Sequence, residues 1–204
     1  MNLIILTIAP VIAIIFYVYF KDKFEKEPIK LLLYTFLLGA IGSIIISTIL
    51  YSISTNFLPK ADELSVFDQF LKAFFVVAFI EEFSKYIIVR YYNQPKKDFN
   101  EPFDGIVYAV MVSMGFAFIE NIMYVAEGGI TVAILRAITA IPAHATFGII
   151  MGYFMGKAKF SKNPRKLNFI GLAAAILFHG LYDFFIFINF IPGISIGAFI
   201  SLII

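Results

Sequence analysis

Apolar runs long enough to cross a lipid bilayer recur along the chain, and no other feature limits its possible folds more. A hydrocarbon core of about 30 Å calls for about 20 successive apolar residues in a helix. Such runs lie at roughly 2–20, 31–53, 66–89, 105–125, 131–156 and 167–188, with a shorter one at 190–204 that has Pro192 and Gly193 near its start. Of the 204 residues, 61% are hydrophobic and 15% charged, against about 45–50% and about 25% in soluble domains. Backbone polar groups in hydrocarbon have to be satisfied inside the helix itself. The expected fold is therefore all-α: a polytopic membrane protein, a bundle of about seven transmembrane helices, in one integral membrane domain over 1–204. With no Cys, disulfides and thiolate metal sites are excluded. The first run lacks a basic leading region and is followed by Lys21-Asp22-Lys23 rather than small residues, so it is expected to stay as an anchor.

The connecting loops give an expected orientation in the cell membrane. Lys21, Lys23, Lys26 and Lys30 lie in the first loop, Arg90, Lys96 and Lys97 in the third, and Lys157, Lys159, Lys162, Arg165 and Lys166 in the fifth. These are twelve of the 16 basic residues, while the alternate loops carry only Lys60. The positive-inside rule then puts the N-terminus outside and the three basic loops in the cytoplasm. The implied surroundings are a lipid bilayer, and no nucleic-acid partner is expected.

Against this background a few charges stand out. Val76 to Val89 reads VVAFIEEFSKYIIV, and Glu120 and Asp183 also fall well inside predicted spans. Each acid costs ~2.5–3.5 kcal/mol at a helix centre facing lipid, so these side chains are expected to face one another or water. Their spacing agrees: Glu81 and Lys85, Phe116 and Glu120, and His179 and Asp183 are each four apart and share a helix face. His144 is followed at four-residue steps by Gly148, Gly152 and Gly156, a stripe along which a neighbouring backbone can approach closely. Pro142 frees a backbone carbonyl just before it. The predicted site thus lies within helices three to six, a four-helix catalytic core at 66–188. The two helices within 1–60 serve as scaffold and a short helix at 190–204 follows. Arg136 and Lys72 read here as residues snorkelling to the interface. Glu81 with Lys85 also reads as a structural pair fixing register, and His144 as a core histidine beside a packing stripe.

Carboxylates and imidazoles, without Cys and without a serine paired to a base, suit activation of water rather than covalent catalysis. Glutamate and histidine are also zinc ligands, and a hydrolytic zinc uses three protein ligands and an open position. The residues leave open whether the water is activated by glutamate alone or on a metal. A proton- or ion-coupled transporter or channel is the alternative, since it too places acids at mid-membrane. No inverted repeat or matched pair of broken helices supports it.

Glu81-Glu82-Phe83-Ser84-Lys85 has the form EExxK, Phe116 to Asn121 the form FxxxEN, and His179 to Asp183 the form HxxxD, in that order. This set resembles the PrsW family of intramembrane proteases, in which His144 falls where an additional histidine motif lies. The resemblance implies a multi-pass peptidase, usually classed as a metallopeptidase, that cuts membrane-anchored protein substrates such as anti-sigma factors. Carried over by residue, it implies Glu81 as water activator and Glu82 as its partner or a structural acid. Glu120, His144 and His179 would bind the water, metal or oxyanion, with Lys85, Asn121 and Asp183 orienting them and Phe116 completing the motif. A divalent metal such as zinc would take its ligands from Glu81, Glu120, His144 and His179. The family is distantly similar to CAAX prenyl endopeptidases and bacterial immunity-type proteases. EExxK in place of EExxxR, and Glu120 where those enzymes carry histidine, point away from a prenylated substrate.

Overall fold

The computed structural model of the chain describes residues 3–23 and 25–202. The outermost residues of the first and last predicted spans, and Phe24 in the first basic loop, lie outside these. Every regular element among the described residues is helical. Helix α1 is Leu3–Lys21; α2, Ile29–Leu37, runs through a wide π-helical turn at Leu38–Ser43 into α3, Ile44–Phe57. Helix α4, Val66–Leu71, starts at Ser65, whose side chain accepts from the Asp68 amide. It passes through a second π-helical turn, Lys72–Ala78, into α5, Phe79–Ile88, and a third at Val89–Asn93. Helices α6, Pro102–Ile138, α7, Ala140–Lys159, and α8, Pro164–Phe187, follow, and α9, Ile196–Ile200, is a single short turn.

Four helical stretches among the described residues are long and apolar enough to cross a membrane: Leu3–Lys21, Ile29–Phe57, Pro102–Lys159 and Pro164–Phe187. This differs from the seven expected, for physical reasons. The stretch 66–93 is continuous but is interrupted by Asp68, Lys72, Glu81, Glu82, Lys85 and Arg90. Pro102–Lys159 is nearly unbroken in its hydrogen bonding and forms one stretch of 58 residues, although it turns at Gly129. That glycine has φ 64° and ψ −151°, a conformation that side-chain-bearing residues avoid. A second irregularity, Thr139 at φ −121° and ψ −78°, stands three residues before Pro142, which has no N–H to donate back toward Ile138. Helix α9 is too short to span.

Helices α6 and α7 form the centre of the molecule and pack on each other most extensively. The glycine stripe makes this possible: a Cβ on Gly152 would overlap the backbone of Gly105 and Ile106, and one on Gly156 the carbonyl of Pro102. Val107, Val110, Met111 and Met114 of α6 meet Val11 and Val18 of α1 and Ile141 and Ala145 of α7 in one core cluster. Ala109 and Val112 meet Phe147 and Met151 of α7 and Ala175 of α8 in another. Phe16, Leu33, Ile41, Ile45 and Ile49 remain exposed on α1 to α3, an apolar face suited to lipid. Gly152→Ala tests the packing. Alanine favours helix by about 1 kcal/mol over glycine, yet the overlap is backbone against backbone and costs about 1–3 kcal/mol or more. Thermal unfolding in detergent should show a net loss of stability.

At the end where α1 meets α2, Glu27 is buried, accepts a hydrogen bond from Tyr108, and lies against Asp104 and Asp22. Loss of solvent pushes its pKa up to about 8, the Tyr108 bond opposing and the Asp104 charge adding to the shift. The folded state then holds the proton more tightly than the unfolded chain does. The stabilisation is complete below the ordinary value of 4.5 and is lost as pH rises through about 8. Unfolding temperature should fall across that interval in the wild type and fall less in Glu27→Gln.

Candidate active site

The wide turn at Lys72–Ala78 ends directly before α5, and π-helical turns are frequent at functional sites. Helix α5 then presents Glu81 to a cavity of about 810 Å³. Glu120 of α6, His144 of α7, and His179 and Asp183 of α8 line the same cavity. Phe116 also lines it, whereas Glu82, Lys85 and Asn121 lie behind the wall, each at most 1% exposed.

These side chains form one connected polar network. Lys85 Nζ is 2.6 Å from Glu82 Oε1, 3.8 Å from Glu81 Oε2 and 3.2 Å from His144 Nδ1. An ammonium group can only donate, so His144 Nδ1 accepts, and its proton lies on Nε2, 2.8 Å from Glu120 Oε2. The Lys85 Nζ also sits 4.4 Å from the centre of the Phe116 ring, which gives that phenylalanine a cation–π role beside the motif acids. His179 places Nδ1 2.9 Å from Glu82 Oε1, and its Nε2 faces Asp183 Oδ2 at 3.3 Å and Glu81 Oε2 at 3.9 Å. Its ring stacks on Phe147 with centroids 4.7 Å apart. Glu82 is thus the closer carboxylate partner of His179, and Asp183 the more distant one.

Two residues outside the motifs join the network. Arg136, read from the sequence as snorkelling to the interface, instead turns inward: its NH2 is 2.7 Å from Glu120 Oε2 and its Nε 2.9 Å from Asn121 Oδ1. Charge balance accounts for the inward turn. Glu81, Glu82, Glu120 and Asp183 outnumber Lys85, so a second buried cation was called for, and Arg136 is the basic residue left in the neighbouring span. Tyr51 of α3 donates to Glu81 Oε1 at 3.0 Å. Nothing in the sequence separates it from the other 10 tyrosines, which together with it make 11. Asn121 Nδ2 in turn donates to the Thr7 carbonyl of α1 at 2.9 Å. Tyr51 and Thr7, from the first two predicted spans, thus contact residues of the predicted site.

Glu81, Glu120 and His144 could hold a metal ion: they offer one ligand atom each, and these lie within 4.8 Å of one another, although His144 would first have to free a ring nitrogen, since Nδ1 accepts from Lys85 and Nε2 carries the proton facing Glu120. Two carboxylates and an imidazole leaving an open position suit a hydrolytic divalent metal. The buried Glu81 Oε2 has no hydrogen-bond partner, so it is free either to ligate such an ion or to take a proton from water, and the carboxylates fit either use. His179 is outside this group, and its Nδ1 is held by Glu82.

Comparison with known proteins gives the class. Residues 27–204 match the family described as PrsW family intramembrane metalloprotease. A protein named Protease PrsW from Oceanobacillus iheyensis is 43% identical over 178 residues, covering 87% of this chain and 79% of that protein. Those from Bacillus subtilis and Clostridioides difficile are 37% and 35% identical, covering 87% and 93% of this chain and 79% and 81% of their own lengths. No solved structure matches the chain. The chain belongs to the PrsW family and is an intramembrane protease, which sets aside the transporter reading.

Proposed function

We propose that the cavity hydrolyses a peptide bond in a membrane-anchored protein of the anti-sigma-factor kind, with Glu81 as the base that activates water. The observation that carries this is the convergence of Glu81, Glu120, His144 and His179 on one cavity, with Glu81 Oε2 buried and free of hydrogen bonds. Ile44, Val77, Met123, Leu135 and Phe187 form much of the remaining wall, a lining suited to an extended apolar segment.

In this reading a water beside Glu81 Oε2 gives up a proton to it as the water oxygen attacks the scissile carbonyl. His179 Nε2, between Asp183 and Glu81, is placed to pass a proton to the leaving amine. Lys85 neutralises Glu82, which fixes the His179 ring from behind, and Arg136 does the same for Glu120. Glu81, Glu120 and His144 are the residues that would hold a divalent ion such as zinc, whose chemistry is Lewis-acid polarisation of water or carbonyl. The topology proposed with this reading keeps the N-terminus outside and the basic loops cytoplasmic.

The test is cleavage of a single-span reporter by purified protein in vesicles, with and without a chelator. Metal-dependent hydrolysis predicts activity lost on chelation and restored by zinc. Unchanged cleavage in the chelator at full metal depletion would leave Glu81 acting alone, and no cleavage by intact, metal-loaded protein of any single-span reporter would count against the reading.

A further inference from the structure

We propose that Tyr51 is a catalytic residue of this site, its hydroxyl donating to the oxyanion that forms on the scissile carbonyl. The inference rests on the hydrolytic reading above. Every motif residue lies on α5 to α8, whereas Tyr51 lies on α3 and reaches Glu81 Oε1 across the cavity at 3.0 Å.

Several other hydrogen-bond donors facing the cavity are bonded to groups other than the base. Arg136 is held by Glu120 and Asn121, and His144 Nε2 by Glu120. The hydroxyls of Thr48 and Thr139 bond to carbonyls of their own helix, Ile44 O and Leu135 O, each at 2.7 Å. Tyr51 differs because its acceptor is the base itself.

When water attacks, its proton goes to Glu81, its oxygen forms the new C–O bond, and the carbonyl π pair moves onto the carbonyl oxygen. Glu81 loses its negative charge as that oxygen gains one. A hydrogen bond to an ionised acceptor is roughly twice as strong as one to a neutral acceptor, so the donor's preferred partner changes from Glu81 to the oxyanion. As the C–N bond breaks, His179 Nε2 gives a proton to the departing nitrogen and takes the one held by Glu81, 3.9 Å away, the carbonyl re-forms, and the hydroxyl returns to the regenerated Glu81 carboxylate. The phenol keeps its own proton throughout. Such a contact is stronger in the transition state than with bound substrate, and interactions of that kind raise kcat.

The location of Tyr51 fits this role better than a packing role. Among the residues of α3 only Ser47 is buried, and the helix rests on the π-helical turn Leu38–Ser43 and on α5. Phenylalanine would fill the same space, so what the tyrosine adds is the hydroxyl.

The experiment compares Tyr51→Phe, Glu81→Gln and wild type on a single-span reporter, with folded protein quantified for each. Loss of one oxyanion donor predicts a fall in kcat of about 10²-fold with little change in KM. Fluorinated tyrosines at position 51 keep the hydroxyl and make it a stronger donor. At a pH where they stay protonated, kcat should follow their acidity, a trend that tethering α3 to α5 would not produce. Wild-type kcat in Tyr51→Phe alongside an inactive Glu81→Gln would overturn the role of Tyr51 and leave the hydrolytic reading standing. So would a Tyr51→Phe defect confined to folding or KM, with no trend among the fluorotyrosines. A fully active Glu81→Gln would remove both.

Discussion

Glu81→Gln is expected to lower cleavage by at least ~10²-fold, the low end for removing a general base. The amide keeps the length and shape of the side chain, and its oxygen still accepts from Tyr51, now 3.0 Å from Glu81 Oε1. What it loses is the capacity to take a proton from water and to serve as a carboxylate ligand. Insertion and folding should be at least as good as wild type, because replacing an acid within the membrane by a neutral group removes a burial cost. The measurement is the cleavage rate per molecule of inserted protein. Ser84→Ala on the same helix is the control: the Ser84 hydroxyl only bonds to the Glu81 backbone carbonyl, at 2.7 Å.

Lys85→Met is expected to act on stability as much as on activity. The side chains of Lys85 and Glu82 are 1% and 0% exposed, and their charged atoms are 2.6 Å apart. Removing one member of such a pair strands the other's charge, at a cost of about 3–5 kcal/mol. It also removes the donor that fixes the His144 tautomer. The yield and unfolding temperature of Lys85→Met should fall together, and adding Glu82→Gln should recover much of the loss by removing the stranded charge. Equal stability of Lys85→Met and wild type would mean that Glu82 has no need of this partner.

The motif residues were legible because lipid is an unforgiving background: Glu81, Glu82, Glu120 and Asp183 could not face it cheaply, so their convergence followed from cost and spacing. The glycine stripe after His144 was legible for a related reason, since small residues at four-residue steps mark a close helix contact. Arg136 was misread because a basic residue near the end of a span has a simple alternative partner, the interface. The cue was the excess of buried acids over Lys85. Tyr51 carried no cue, because tyrosine is at home in an apolar helix and only the fold brings α3 opposite α5. The division into spans was blurred by backbone geometry: the turn at Gly129 leaves 102–159 almost continuous, and six charges between 66 and 93 make that stretch unlike an ordinary spanning helix.

The position of the cut tests the account most directly. Wild-type protein in vesicles would be given a single-span reporter in isotopically labelled water, and the products sequenced by mass spectrometry. The account predicts new termini inside the apolar span, with one water-derived oxygen in the new carboxyl group, and no such products from Glu81→Gln. Cleavage only in the reporter's soluble flanks, or intramembrane products that persist in Glu81→Gln, would contradict it.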